Sequence, residues 1–146
     1  MLRTKTDELN PSDWFAMAAE RLRGADVLWE HEGLTALGIE VLQEAAERYL
    51  KGYLIAHGWS LKRTHDLGTL IKDCLSYDQA FAGFATMAAE LTQDFFAQHY
   101  PGEEMADVGS NYEEWRAQVG QIVELIQQTL PQFFPTPTPT PTDDNQ

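Results

Sequence analysis

Residues 35–58, TALGIEVLQEAAERYLKGYLIAHG, contain a helical pattern that indicates the fold class. Their apolar side chains recur every three or four residues, and that spacing places them along one face of an α-helix. Two neighbouring rows make up this face: Leu37, Val41, Ala45, Tyr49 and Tyr53, and Leu42, Ala46, Leu50 and Leu54. A helix over residues 35–57 is therefore predicted, and Gly58 stands where glycine often ends a helix.

Four further segments show the same helical period. They predict helices over residues 12–31, 65–76, 78–99 and 111–130. Ser12 or Asp13 is the expected N-cap of the first helix, and Gly33 and Pro131 mark helix ends. No strand-like alternation of any length occurs. We therefore predict an all-α fold, an antiparallel up-and-down bundle of four long helices plus one short helix.

Composition bounds the class of protein. The chain has 146 residues, of which 43% are apolar, enough for one domain with a proper core. No apolar run approaches the roughly 18–20 residues that span a bilayer, and the N-terminal sequence lacks the apolar centre of a signal peptide. Cys74 is the only cysteine, which excludes an internal disulfide and a multi-cysteine metal site. We expect a cytoplasmic protein with no membrane association.

The domain organisation is simple. Residues 1–11 are interpreted as an N-terminal extension, residues 12–130 as the helical bundle, and residues 131–146 as a Pro/Thr-rich tail. Proline at every second position forbids a helix and favours extended chain, so the tail is expected to be disordered. A packed anchor at Phe133 and Phe134 is the alternative for its first residues.

Charge is distributed unevenly along the chain. The net charge is −13, from 23 acidic and 10 basic residues, so nonspecific DNA binding is not expected. Residues 48–65, RYLKGYLIAHGWSLKRTH, contain no acid and sum to +4, whereas the other 128 residues sum to −17. The cations of this basic segment are Arg48, Lys51, Lys62 and Arg63. The segment reaches the start of the third helix, and helix N-termini favour phosphate.

A structural interpretation of the same residues stays open. Glu44–Arg48 and Glu47–Lys51 have the i,i+4 spacing of intrahelical salt bridges, and Thr64 or Asp66 suits the N-cap of the third helix. In that interpretation the basic segment stabilises helices and binds no anion.

A metal site is a further alternative. The doublet His65-Asp66, with His31 upstream and Asp94 downstream, is similar to the ligand set of metal-dependent phosphohydrolases. In those proteins the doublet lies inside an apolar helix that orients the ligands, whereas here it follows Lys-Arg-Thr at a helix start. We therefore predict no metal and no cofactor.

Two motifs together resemble the core signature of HEPN domains: QEAAERYLKGYLIAHG (43–58) and KRTHDLGTL (62–70). WFAMAAERLRGADVLWE (14–30) is similar to the first helix of that family, and FAQHYPGEE (96–104) to its later Arg-Tyr-Pro segment. The resemblance covers about residues 12–130. It implies a bundle of four or five helices that is commonly homodimeric.

The resemblance implies two functional classes. Some HEPN proteins are metal-independent ribonucleases with an Arg, four to six residues, then a His. Others lack this motif and are partners of a minimal nucleotidyltransferase, often in a toxin–antitoxin-like pair. Here the Arg–His pairs enclose one, seven or eight residues: Arg63–His65, Arg23–His31 and Arg48–His57. His99 also replaces the arginine before Tyr-Pro, so the non-catalytic class is favoured.

The resemblance assigns Gln43, Glu47 and Lys51 to the family's polar stripe on the second helix. We predict a binding site for a nucleotide or another phosphate-bearing ligand, with Gln43 and Glu47 in support, formed by Arg48, Lys51, Lys62, Arg63, Thr64, His65 and Asp66. The expected partners are a minimal nucleotidyltransferase and a second copy of the chain. Two rival functions stay open: a ribonuclease toxin that uses His65 or His99, and a purely structural interaction partner.

Overall fold

The computed structural model describes residues 6–97 and 109–135. This part of the chain is helical and contains no strand, with α1 (Pro11–Glu32), α2 (Ala36–Ala56), α3 (Leu67–Leu75), α4 (Ala85–Ala97) and α5 (Gly109–Thr129). Two 3₁₀ segments accompany them, Gln79–Phe84 before α4 and Pro131–Phe133 after α5. The all-α prediction is confirmed. The up-and-down arrangement of four long helices stays a prediction.

Helices α1 and α2 form an antiparallel pair. The connection turns at Gly33, whose φ of 72° favours glycine, and Thr35 caps α2 by accepting from Gly38 N at 2.8 Å. The two helices approach closely at Gly52, where an added Cβ would lie 2.6 Å from Cε1 of Phe15. A larger residue at this position would force the Phe15 ring to move.

The core lies around α2, which packs against α1, α3, α4 and α5. Large side chains from α3, the first 3₁₀ segment, α4 and α5 are fully buried against it, among them Leu67, Phe81, Met87, Trp115 and Ile122. The predicted stripe of α2 is buried except at its start, where Leu37 is 56% exposed and Val41 is partly buried. This first turn extends past the core.

Two local predictions were wrong. The N-cap of α1 is Asn10, whose side chain accepts from Ser12 N at 3.0 Å, because Pro11 takes the first helical position, where its missing N–H costs nothing. Asp13 is instead buried and accepts from Asp7 N. The helix predicted over residues 78–99 is divided, since Asp78 caps a 3₁₀ segment and α4 begins only at Ala85.

The segment after α5 contacts α1. The rings of Phe133 and Phe134 lie 5.9 and 4.8 Å from that of Phe15, centroid to centroid, and both are half-buried. Residues 136–146 lie outside the described residues, as do His99 and Pro101. No helix in residues 6–97 and 109–135 is both long enough and apolar enough to cross a membrane.

Cys74 lies on the inner face of α3 and is fully buried. Burial raises the pKa of its thiol far above the ordinary value. It therefore remains a neutral core side chain.

Candidate functional site

The polar stripe of α2 consists of Gln43, Glu47 and Lys51, which follow one another at steps of four residues. All three are buried, with 0, 5 and 4% of their surface exposed. Charged side chains are rarely buried unless they are paired. The partners of these three residues therefore define the site.

Lys51 and Glu47 form a buried ion pair. Nζ of Lys51 lies 2.9 Å from Oε2 of Glu47, and the two side chains are 6% and 7% exposed. The ammonium group also lies 5.8 Å from the ring centroid of Trp14 on α1, within cation–π range. Loss of either partner would leave an uncompensated charge inside the protein.

Glu47 also holds His65. Its second oxygen, Oε1, lies 2.9 Å from Nδ1 of His65. Because a carboxylate only accepts hydrogen bonds, Nδ1 is assigned the hydrogen and Nε2 is left for another partner. The His65 side chain is 63% exposed, so a buried carboxylate orients an imidazole that faces solvent.

Gln43 completes the connection between α2 and the segment before α3. Its amide donates to the backbone carbonyl of His65. The polar stripe thus fixes this position twice, through the imidazole and through the main chain. The two motifs that resemble the HEPN signature meet at this point.

Local hydrogen bonds occupy the start of α3. Thr64 Oγ1 accepts from Asp66 N at 3.1 Å, and Asp66 Oδ1 caps the helix by accepting from Gly68 N at 2.9 Å. Leu67 N donates to Thr92 Oγ1 of α4 at 3.1 Å. Of the two predicted N-caps, Asp66 is the one found. A phosphate at this helix end would have to displace acceptors that the protein already supplies.

Each cation of the basic segment has an acidic partner in space. Arg48 lies 3.6 Å from Glu44, and Lys51 pairs with Glu47. The other two pair with acids that are more distant in the sequence, at 2.7 and 2.9 Å: Lys62–Asp73 and Arg63–Glu8. The segment contains no acidic residue, but in the folded protein an acidic residue from elsewhere in the chain lies beside each of its cations.

Exposure separates the four cations. The side chains of Arg63 and Lys62 are 78% and 53% exposed, whereas those of Arg48 and Lys51 are 19% and 6% exposed. Arg48 also belongs to another region, because its partner Glu44 accepts from Arg21 of α1 at 2.7 Å. Residues 62–65, which carry the accessible cations and His65, are called the cation loop below.

Asp73 connects the cation loop to α3. Its Oδ2 accepts from Nζ of Lys62 at 2.7 Å and from Nε1 of Trp59 at 3.0 Å. Partial burial works to raise the pKa of Asp73, but the hydrogen bonds from Lys62 and Trp59, together with the positive charges of Lys62 and Lys72, outweigh it and lower that pKa. Asp73 is therefore an ionised anchor for both donors.

The metal alternative finds no support in the geometry. Among residues 6–97 and 109–135, no group of three or more His, Cys, Asp or Glu side chains is arranged to hold a metal ion. His65 of the doublet is bound to Glu47, and Asp66 caps α3.

Sequence reasoning missed the residues that pair with the cation loop. Glu8 lies 55 positions from Arg63, and Asp73, the partner of Lys62, belongs to no motif that distinguishes it. No periodic or spacing signal points to such contacts. They depend on how the elements pack.

Comparison with known proteins gives the family. A model of the HEPN domain matches residues 11–129, most of the chain. Comparison of this chain with curated proteins and with solved structures found no match. The matched range contains the polar stripe, the cation loop and every α-helix described above, and the chain belongs to the HEPN domain family.

Proposed function

We propose that this HEPN protein binds a phosphate-bearing ligand, such as a nucleotide, at the cation loop and does not transform it. One observation carries the proposal. Arg63, Lys62 and His65 stand exposed on a short segment whose position is fixed from below by the buried polar stripe. A fixed loop with accessible cations can bind an anion without first becoming ordered.

The surface ion pairs do not prevent this binding. Exposed salt bridges are worth about 0–1 kcal/mol, so Arg63 can exchange Glu8 for phosphate at little cost. A guanidinium also binds phosphate with two parallel hydrogen bonds. Lys62 adds a point charge next to it, and a protonated His65 ring donates from Nε2 while Nδ1 stays on Glu47.

The other predicted ligand residues take supporting roles in this proposal. Lys51 keeps Glu47 in place, and Gln43 holds the loop backbone. Thr64 and Asp66 shape the turn into α3. Arg48 does not face the ligand, because its partner Glu44 connects it to α1.

Calorimetric titration with ATP, GTP and CTP tests the proposal. We expect saturable binding that weakens about tenfold or more in the Arg63→Ala/His65→Ala double variant, since each side chain contributes a charge-assisted hydrogen bond. Lys72→Ala is the matched control, because Lys72 is an exposed cation of α3 outside the loop. Absence of binding for all three nucleotides would rule out the nucleotide version.

Partnership with a minimal nucleotidyltransferase and homodimer formation belong to the same proposal. Both rest on the family membership and on the absence of the family's Arg–His ribonuclease spacing. A nucleotidyltransferase gene beside this one, and a complex that co-purifies after co-expression, are the expected findings. Sedimentation of the isolated chain as a monomer at micromolar concentration would contradict the dimer.

RNA cleavage is a second candidate, favoured by the Glu47–His65 pair. A buried carboxylate that orients an exposed imidazole is the arrangement of a general base. Incubation with tRNA and mRNA, together with growth after induced expression, tests it. Cleavage that disappears in His65→Ala would support the ribonuclease, and inert wild-type protein in both assays would exclude it.

A further inference from the structure

A cleft of about 180 Å³ opens on the α3 side of the cation loop. It lies between the segment that follows α2 and the C-terminal end of α3, and is lined by Trp59, Ser60, Lys62, Asp73, Ser76 and Tyr77. The proposed phosphate contacts use none of these residues except Lys62. We call it the aromatic cleft.

Tyr77 forms a wall that is supported from behind. Its ring is stacked on His57 at 4.7 Å and 26°, and His57 lies 4.5 Å from the ring of Tyr53. Tyr53 is 1% exposed and belongs to the core, whereas Tyr77 is 43% exposed. The Tyr77 ring is therefore held on one side by the His57 ring, which itself contacts Tyr53, and remains accessible on another side.

Trp59 is the second aromatic residue of the cleft. Its indole nitrogen is fixed by the hydrogen bond to Asp73. Within the described part of the chain, Trp59 and Tyr77 both line the cleft but make no ring contact with each other. Fixed aromatic faces with space beside them suit a flat ring, because stacking needs no rearrangement of the protein.

The polar groups of the cleft favour a neutral ring with donors and acceptors. Lys62 and Asp73 carry opposite charges and pair at 2.7 Å, so the lining of the cleft has no net charge. Ser60 and Ser76 add exposed hydroxyl groups, which both donate and accept. A nucleobase combines a flat ring, no net charge, and mixed donors and acceptors.

We propose that the aromatic cleft binds the base of a nucleotide whose phosphates lie on the cation loop. This inference rests on the proposed function. Lys62 belongs to both surfaces, and the three residues that follow it to His65 span at most about 10 Å. Because stacking discriminates little among bases, the protein should accept purine and pyrimidine nucleotides alike.

The experiment compares ADP, adenosine and pyrophosphate by calorimetry, since ADP joins the other two. ADP should bind about tenfold more tightly than pyrophosphate, in keeping with the energy of one base–aromatic stack. Tyr77→Ala should remove this difference, and Tyr77→Phe, which keeps the ring, should preserve it. ADP should also quench a tryptophan fluorescence signal that Trp59→Phe abolishes.

The outcomes separate this inference from the proposed function. Equal affinities for ADP and pyrophosphate, unchanged by Tyr77→Ala, would overturn the cleft and leave the phosphate site standing. Equal affinities for adenosine and ADP, with no binding of pyrophosphate, would support the cleft and overturn the phosphate site. Absence of binding for all three compounds would overturn both. Thermal melting of the Tyr77 variants checks that they are folded.

Discussion

Two ion pairs of equal length serve different purposes in this molecule. The Lys51–Glu47 and Arg63–Glu8 pairs both measure 2.9 Å. The first has side chains 6% and 7% exposed, and the second 78% and 53% exposed. Water weakens the attraction in the second pair and also stabilises its partners when they separate.

The difference shows that distance alone does not give the worth of an ion pair. The buried pair is part of the architecture, because separating its charges would leave each of them inside the protein without water. The exposed pair can separate at little cost, because water solvates both of its charges. Substitutions in the two regions should therefore differ in the size of their effect on stability and in the property that they change.

Lys51→Ala should have the largest effect on stability. Removing one partner of a buried ion pair costs about 3–5 kcal/mol, because the Glu47 carboxylate is then buried without its cation. Chemical denaturation measures the free energy of unfolding. The double variant Lys51→Met/Glu47→Leu is the control, and it should recover most of the loss. A cost below about 1 kcal/mol for Lys51→Ala would show that the pair behaves like a surface bridge.

Gln43→Ala should come next. It removes a side chain that is 0% exposed together with the hydrogen bond to the carbonyl of His65, so we expect a loss of about 1–3 kcal/mol. Faster amide hydrogen exchange around the cation loop should accompany this loss. Gln118→Ala, on the half-buried face of α5, is the comparison. Unchanged exchange in the loop would contradict the role of Gln43 as its anchor.

The Arg63–Glu8 pair should contribute about 0.2–1 kcal/mol. A double-mutant cycle with Arg63→Ala and Glu8→Ala measures this coupling, and added salt should reduce it further. Glu8→Ala should also strengthen phosphate binding, because it frees the guanidinium. A coupling above about 2 kcal/mol would mean that the surface pair is as structural as the buried one.

Asp73 should give the smallest effect, visible only in acid. The pKa of Asp73 is lowered in the folded protein, so its ionised form contributes stability above the ordinary value of 3.8, and this contribution disappears as the pH falls through the lowered pKa. Lys62→Ala removes one of the two donors and should flatten the loss of stability below pH 3.8. Denaturation curves of both proteins across this range check it. An equal loss of stability at acidic pH in the wild-type protein and in Lys62→Ala would contradict the role of Lys62.

The helices could be predicted from periodicity because their apolar faces reflect the core directly. Their ends could not all be predicted, since Asn10 and Ser12 are both good caps and Pro11 decided between them. The 3₁₀ segment before α4 was not predicted, for another reason. Phe81 and Phe84 are three residues apart, a spacing that fits both kinds of helix.

The candidate site could be predicted only in part. The resemblance brought the polar stripe and the cation loop together, but residue spacing could not distinguish a fully buried ion pair from a half-buried one. Glu44–Arg48 and Glu47–Lys51 have the same residue spacing and the same order of charge. The second pair begins three residues after the first, and because an α-helix turns by about 100° per residue, the two pairs lie on different faces of α2. The partners of Lys62 and Arg63 come from distant positions, Asp73 and Glu8, and follow from packing alone.

The thiol of Cys74 can be used to measure how fast the region around the candidate site opens. A thiol is alkylated only when it is exposed and ionised, and this chain has a single cysteine, fully buried on α3. The rate at which Cys74 is labelled therefore reports how often local unfolding moves α3 out of the core. The cation loop precedes that helix and the aromatic cleft lies at its far end, so a bound nucleotide would hold it at both ends and slow the reaction.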